Sequence, residues 1–202
     1  MASIAIIDYG MGNLRSVQKA FEHIGVSAEI TSDAAVLARA DGAVLPGVGA
    51  FADCIKNLDE TGLVPTIQEF IASGRPFLGI CLGLQLLFES STEGGQYEGL
   101  GLLPGQVVSL PRDRKVPHMG WNSLKILQPD PLFKGLPGEA YVYFVHSYHA
   151  APADPSIFSA TTDYGIPVTA AVQRGNLFAT QFHPEKSGDV GMQILRNFGG
   201  LL

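Results

Sequence analysis

The first ninety residues alternate between short apolar runs and stretches whose apolar residues recur at helical spacing. This alternation predicts a parallel sheet with right-handed crossovers, in which functional groups collect at the carboxyl ends of the strands. Asn13 is placed to cap the first helix. The strands are expected at residues 4–7, 28–31, 43–45 and 77–80, and the helices at 13–24 and 63–73.

After Gly94-Gly95 the pattern becomes strand-rich and ends in one more helix. Strands are expected at 106–110, 122–127 and 140–145, then a hairpin of 168–173 and 176–181 around Arg174-Gly175, and a helix at 190–198. We expect this half to form a mixed or antiparallel extension of the same sheet. The chain, 1–202, is then a single α/β domain with a mostly parallel central sheet and helices on both faces.

Composition narrows the range of partners. Thirteen basic and nineteen acidic residues give a net charge of −6, and the one basic cluster, Arg112 with Arg114 and Lys115, is interrupted by Asp113 and is typical of a solvated loop. A nucleic-acid partner is disfavoured because no basic stripe exists to neutralise phosphates. Charged residues make up only 16% of the chain, which leaves room for an apolar protein-protein face.

The cysteines and the first residues bear on the compartment. A chain of 202 residues with a full core does not need a bridge between Cys54 and Cys81, so both thiols are expected to be reduced. The start, Met1 to Ile4, enters a strand without a charged region or an apolar signal segment, and no apolar run approaches membrane length. We therefore expect a cytoplasmic protein.

The apolar period changes at Cys81, which places this thiol on a turn between a buried strand and a helix that includes Leu84, Leu87 and Phe88. Gly79 and Gly83 flank the cysteine at the spacing of a nucleophile elbow. A helix beginning at Leu82 would favour the thiolate and offer free N–H groups to an oxyanion. The alternative is a small buried cysteine in a tightly packed junction.

A second motif, Thr180 to Lys186, contains His183 and Glu185. In an extended stretch residues i and i+2 point the same way, so the imidazole and the carboxylate share a face, as a base and its orienting acid require. The alternative is a histidine and a glutamate on the wet side of a strand end.

A glycine-rich loop follows the third predicted strand. Pro46-Gly47-Val48-Gly49 has glycines that permit unusual backbone angles, so it can turn amides toward a ligand, or it can be an ordinary tight connection. Cys54 has no neighbouring base and is expected to be structural. Gly10-x-Gly12 lacks the third glycine of a dinucleotide-binding loop, so a nucleotide site is rejected.

Taken together, the cysteine elbow, the His-x-Glu motif and the Pro-Gly-Val-Gly loop resemble those of class I, triad-type glutamine amidotransferases. Asp8 to Leu14 and Lys115 to Asn122 are most similar to the glutaminase subunits that serve imidazole glycerol phosphate synthase. The resemblance extends from Asp8 to Ser187 and implies a three-layer, flavodoxin-like fold.

The resemblance implies hydrolysis of glutamine, with Cys81 as nucleophile, His183 as acid and base and Glu185 as its orienting group, without metal or cofactor. It assigns the oxyanion amides to Val48 or Gly49 together with Leu82. The substrate contacts that it implies are Gly47, Gln85, His146, Ser147 and Tyr148.

The resemblance also implies a heterodimer with a (βα)8-barrel synthase. That partner uses the ammonia on N'-[(5-phosphoribulosyl)formimino]-aminoimidazole carboxamide ribonucleotide and makes imidazole glycerol phosphate and AICAR in histidine biosynthesis. The implied interface consists of Met119, Trp121, Asn122, Tyr143 and Lys186. Without the resemblance, burial of Trp121 in the chain's own core is the preferred interpretation.

Three alternatives stay open at this point. The chain could serve another synthase, or be a related cysteine hydrolase that acts on γ-glutamyl bonds. It could also be a regulatory domain that kept the fold and lost the chemistry, which the intact Cys81, His183 and Glu185 disfavour.

Overall fold

A computed structural model describes residues 3–111 and 113–202. Met1 and Ala2, on which the expected start of the chain rests, and Arg112 of the basic cluster lie outside the described residues. In the described part of the chain, no helix is long and apolar enough to cross a membrane.

An eight-stranded sheet forms the centre of the molecule. Its first strands are β1 (Ser3–Ile7), β2 (Ser27–Thr31), β3 (Gly42–Gly47) and β4 (Phe77–Cys81). Its later strands are β9 (Lys125–Ile126), β12 (Phe158–Asp163), β13 (Pro167–Arg174) and β14 (Leu177–Thr180). The order is β2-β1-β3-β4-β14-β13-β12-β9, parallel from β2 to β14 and antiparallel beyond.

Helices cover both faces of this sheet because successive strand residues point to opposite sides. Ile4 and Ile6 pack with Phe21 and Phe198 on one face, while Ala5 and Ile7 pack with the buried side chains of the helices on the other. The helices are α1 (Leu14–His23), α2 (Ala34–Arg39), α3 (Phe51–Glu60), α4 (Val64–Ala72), α5 (Leu82–Leu86) and α6 (Gly188–Gly199). The predicted three-layer α/β class is confirmed.

The expected extension of the sheet is only partly right. Two smaller sheets stand apart from the central one: β11-β7-β5-β6 and the ribbon β10-β8. Their strands are β5 (Phe88–Ser91), β6 (Tyr97–Glu98), β7 (Leu103–Ser109), β8 (His118–Ser123), β10 (Tyr141–His146) and β11 (Tyr148–Pro152). Periodicity indicates that a residue is extended but not which strand it pairs with.

The helix after Cys81 is shorter than predicted. It ends at Leu86, and Phe88 begins β5 instead of lying on a third helical turn. The carbonyls of Leu86, Leu87 and Phe88 accept hydrogen bonds from the N–H groups of residues 100–103 instead of from a continuing helix. The long-range partner therefore outweighs the local helical spacing.

Other predicted boundaries shift for local reasons. Asn13 precedes α1, but its side chain makes no capping hydrogen bond. The strand expected at 122–127 is interrupted at Leu124, whose N–H donates to Ala140 O, and the hairpin turns at Gly175-Asn176 rather than Arg174-Gly175, with Gly175 at φ +59°. Six helices and strands were not predicted: α2, α3, β5, β6, β11 and β12.

Candidate active site

Cys81 occupies the corner between β4 and α5 in a strained conformation. Its φ of +57° and ψ of −109° make it the only non-glycine residue with positive φ among the residues that the structure describes. Such strain persists only when the surrounding structure enforces it, and it is typical of functional sites. The side chain is mostly buried and reaches a cavity.

The flanking glycines are required by close packing. A Cβ atom on Gly83 would lie 1.8 Å from the Leu45 carbonyl oxygen, and one on Gly79 would lie 2.9 Å from the carbonyl oxygen of Gly83. Both contacts involve backbone, which cannot move aside cheaply. The glycine spacing seen in the sequence thus reflects a turn pressed against β3.

His183 and Glu185 form a buried pair. Nδ1 of His183 lies 2.8 Å from Oε1 of Glu185. The pair is built differently from the expected extended stretch, because residues Pro184–Lys186 form a 3₁₀ turn. The Lys186 N–H and the Ser187 hydroxyl both donate to the His183 carbonyl and hold that turn closed.

The charge state of His183 follows from its neighbours. Burial alone lowers the pKa of His183, but hydrogen bonding and negative charge from Cys81 and Glu185 outweigh burial and raise the pKa to about 9. Its Nε2 atom is buried and makes no hydrogen bond of normal geometry with any described residue. The raised pKa favours the protonated form of His183, and its Nε2 faces no partner that would compete with a reacting group.

Most of the predicted site residues meet at one cavity. Its volume of about 320 Å³ is at the lower end of the range for small-molecule sites. Gly47 and Glu185 do not line it: Gly47 packs against Leu82, and Glu185 is connected to the cavity through its hydrogen bond to His183. The predicted residues that line the cavity are Val48, Gly49, Cys81, Leu82, Gln85, His146, Ser147, Tyr148, His183 and Lys186.

Gln85 presents an unused acceptor at this cavity. Its Nε2 donates to the Tyr148 carbonyl at 2.9 Å and to Gln181 Oε1 at 3.0 Å. Its Oε1 is buried and has no hydrogen-bond partner within the described part of the chain. A buried acceptor without a partner is costly unless a ligand supplies the donor.

The Gly47 carbonyl is directed at the expected oxyanion site. The Ala43 N–H donates to Pro76 O, which sets the phase of the parallel β3–β4 pairing, and that pairing continues to Gly47 opposite Cys81. In a ladder of this phase Gly47 directs its carbonyl at the Leu82 N–H. The pairing therefore brings the Gly47 carbonyl to the side of β4 on which the expected Leu82 donor lies.

Side chains hold the peptides on either side of the Gly47-Val48 peptide. The Tyr9 hydroxyl donates to Pro46 O at 2.9 Å, and the Cys54 thiol donates to Val48 O at 3.4 Å. The Gly47-Val48 peptide has no side-chain partner among the described residues. The peptide that no side chain holds in place is thus the one that carries the Val48 N–H.

Sequence reasoning missed several residues at the site, among them Pro117 and Val145 in the cavity wall. Glu93 lines the cavity, Cys54 holds the loop, and Gln181 places its Nε2 3.7 Å from Cys81 Sγ. The sequence could have indicated Gln181, because it precedes His183 by two residues and the same i, i+2 argument places it on the face of His183. Glu93 and Cys54 approach the site through tertiary contacts that no local pattern indicates.

The residues of the implied interface lie on the β8–β10 ribbon or beside it. Met119 and Trp121 alternate along β8 and are 61% and 57% exposed, so the structure places Trp121 outside the core. Tyr143, opposite Trp121, meets it edge to face at 6.2 Å. Lys186 is also exposed, whereas Asn122 turns inward and donates to Asp163 O.

The family model for class-I glutamine amidotransferases matches residues 5–200. The fold and the site agree with that class. The chain is 58% identical to imidazole glycerol phosphate synthase subunit HisH of Syntrophotalea carbinolica, over 98% of this chain and 100% of the relative. It is 54% identical to the same protein of Moorella thermoacetica, over 100% and 96%. The chain therefore belongs to the HisH family of class-I glutamine amidotransferases.

Solved structures show the same fold at low identity. A putative GMP synthase component of Thermoplasma acidophilum has a TM-score of 0.72 at 24% identity, over 100% of this chain and 94% of that one. PurLQS of Thermotoga maritima has a TM-score of 0.78 at 17% identity, over 98% and 97%. These likenesses bear on the fold alone.

Proposed function

We propose that this chain hydrolyses glutamine to glutamate and ammonia through Cys81, His183 and Glu185, and passes the ammonia to a (βα)8-barrel synthase. The observation that carries the proposal is the buried His183–Glu185 pair at the same cavity as a strained cysteine. This is the arrangement of a nucleophile, its acid-base partner and an orienting group. We also propose that residues 1–202 form a single domain.

The first chemical step forms a thioester. The Cys81 sulfur attacks the carboxamide carbon of glutamine, and the C–N bond breaks when the imidazolium of His183 gives its Nε2 proton to the leaving nitrogen as ammonia. With a pKa of about 9, His183 holds that proton at neutral pH. Glu185 keeps Nδ1 protonated and the ring oriented.

The second step returns the enzyme to its starting state. His183, now neutral, takes a proton from water, and the resulting hydroxide attacks the γ-glutamyl thioester. The C–S bond breaks, glutamate leaves, and the sulfur and the imidazolium are regenerated. The same histidine therefore serves as acid in one step and as base in the other.

The cavity offers complementary groups to the amino-acid part of glutamine. Oε1 of Gln85 needs a donor, and Glu93 adds a carboxylate that suits an α-ammonium group. Lys186, which also lines the cavity, suits the α-carboxylate. We assign to these groups the selection of an amino acid over a simple amide.

Oxyanion stabilisation requires the Gly47-Val48 peptide to turn. Turning it removes the Gly47 carbonyl from the Leu82 N–H and brings the Val48 N–H to the same place. One rotation would then create both donors of the oxyanion hole. The Gly49 N–H is the other candidate donor, but the carbonyl of its Val48-Gly49 peptide is held by Cys54.

The ammonia product supports a docked partner. Free ammonia is lost to water and to protonation, and the relatives are named as subunits of a synthase. The exposed apolar face around Trp121 suits an interface. We therefore propose a heterodimer whose barrel subunit carries out the imidazole glycerol phosphate reaction of histidine biosynthesis, in the cytoplasm.

The test is glutamate release by the purified chain, alone and with a barrel synthase that carries its acceptor nucleotide. We expect release that is strongly stimulated by the loaded partner, together with labelling of Cys81 by a glutamine-like electrophile. If the chain forms no complex with the barrel synthase and supplies ammonia to another synthase, the proposed partner is wrong. A chain without glutaminase activity in the loaded complex would overturn the enzyme function.

A further inference from the structure

We infer that Gln181 is a positioning residue for the nucleophile, donating a fixed side-chain N–H to the Cys81 sulfur. The inference rests on the proposed glutaminase chemistry. Gln181 follows β14 directly, is fully buried, and places Nε2 3.7 Å from Sγ. Its backbone N–H donates to Ala170 O at 2.8 Å, which anchors the residue to the sheet.

The orientation of the Gln181 amide follows from its neighbours. The Tyr148 carbonyl can only accept, so the side-chain nitrogen of Gln85, 2.9 Å away, must face it. The second N–H of Gln85 then meets Gln181 at 3.0 Å, which makes that atom Oε1. The other end of the Gln181 amide, the NH₂ group, must therefore face Cys81.

Two histidines support the same arrangement from the far side of Tyr148. His146 Nδ1 donates to the Tyr148 carbonyl at 2.9 Å, so its Nε2 is an acceptor. His118 Nδ1 donates to that Nε2 at 3.0 Å, and His118 Nε2 is left to accept from the Asn122 amide at 3.3 Å. Donors and acceptors are thus assigned for every hydrogen bond in the series that connects Asn122 to Cys81.

This arrangement would break if the Gln181 amide rotated. A rotated amide would set Oε1 against the sulfur and two NH₂ groups against each other at Gln85. Each clash involves buried polar atoms, which are costly when left without a partner. The N–H that points at Sγ is therefore held there by buried neighbours.

The chemistry gives this donor a role that His183 cannot fill. His183 loses its proton when ammonia leaves, whereas an amide keeps its N–H throughout the cycle. Gln181 can therefore stabilise the sulfur as the attacking thiolate and again as the leaving thiolate when water cleaves the thioester. It acts through Cys81 and does not exchange protons.

The test measures the pH profile of Cys81 alkylation by iodoacetamide, with mass spectrometry to report the modified cysteine. Gln181→Met removes the donor and keeps the length of the side chain. We expect the midpoint of the profile to move up by about one pH unit and kcat at neutral pH to fall about tenfold, with KM within about twofold. Gln173→Met is the matched control, since Gln173 donates only to Gly175 O in the hairpin turn.

A second variant guards against misfolding. Gln181→Glu keeps the shape and the acceptor for Gln85 but sets a carboxylate against the sulfur, and it should move the midpoint up as well. A profile that superimposes on the wild type in either folded variant would overturn the inference. Alkylation needs no turnover, so a wild-type chain that released no glutamate would contradict the proposed function and leave this measurement interpretable.

Discussion

His183 and Glu185 are joined by a hydrogen bond of 2.8 Å between side chains that are only 2% and 1% exposed. The contact orients the imidazole, but only His183 carries the transferable proton. Glu185→Gln keeps an acceptor for Nδ1, so we expect its loss of kcat to be about 10²-fold smaller than the loss caused by His183→Ala. Steady-state rates in the presence of the loaded partner check this order. A larger loss for Glu185→Gln than for His183→Ala would contradict the triad.

Substitution of the two buried cysteines should reduce activity to very different extents. Cys81→Ala removes the nucleophile, and alanine fits the small elbow, so activity should fall about 10³-fold or more while the protein stays folded. Cys54→Ala removes only the hydrogen bond to Val48 O and should retain activity within about tenfold. Glutamate release and thermal unfolding test both. Equal loss of activity in two folded variants would exclude Cys81 as the nucleophile.

Buried histidines should make the protein sensitive to acid. Burial lowers the pKa of His146 to about 3, against a hydrogen bond with Tyr148 that raises it, so the folded state does not take up this proton until far below the ordinary histidine range. The unfolded chain takes it up near pH 6.5. The stabilising contribution is therefore present above pH 6.5 and is lost as the pH falls from 6.5 toward 3.

The measurement is the free energy of unfolding by denaturant at several pH values. Its slope with pH should fall by about 1.4 kcal/mol per pH unit in His146→Gln over this window, because one titrating group is removed. His23→Gln, at the exposed end of α1, is the control and should keep the wild-type slope. An unchanged slope in His146→Gln would show that His146 is protonated in the folded protein.

Local patterns were sufficient to predict the layers of the fold and to single out Cys81, His183 and Glu185 as candidates, and insufficient where distant segments decide. The strands that carry Cys81 and the Pro46 loop were predicted within two residues, because buried strands are short apolar runs bounded by turn residues. The predicted end of α5 was wrong because the N–H groups of residues 100–103 donate hydrogen bonds to the carbonyls of residues 86–88. Gln181 lies within the Thr180–Lys186 motif, but its contact with Cys81 spans a hundred residues of sequence.

The exposed indole of Trp121 should act as an anchor for the partner. Trp121→Ala should weaken association with the barrel subunit by about 2 kcal/mol or more, a rise in Kd of roughly 30-fold. Titration calorimetry measures this, with Tyr97→Ala in β6 as a control for loss of an exposed aromatic ring elsewhere. Unchanged affinity together with a destabilised isolated variant would place Trp121 in the core instead.

The last prediction is that the chain alone is a poor glutaminase and is switched on through the Pro46 loop. The β3–β4 pairing directs the Gly47 carbonyl toward the Leu82 N–H, the expected oxyanion donor, and a missing donor typically costs about 10²- to 10³-fold in rate. Turning the Gly47-Val48 peptide by half a rotation changes ψ of Gly47 and carries φ of Val48 from negative to positive. A positive φ costs a β-branched residue such as Val48 about 1–2 kcal/mol or more, which favours the loop conformation seen in the structure.

A loaded partner that prefers the turned loop would restore the rate by population shift, so that glutamine is not consumed without an acceptor. Val48→Gly removes the cost at φ and should raise partner-free glutaminase activity about tenfold. Gly49→Ala should act in the other direction, because Gly49 sits at φ +104° with a Cβ position 3.0 Å from Met11 Cε, so stimulation by the partner should fall more than binding does. Rates measured with and without the loaded partner, beside calorimetric affinities, separate the two effects. An isolated wild-type chain as fast as the loaded complex would show that the Pro46 loop is an ordinary turn.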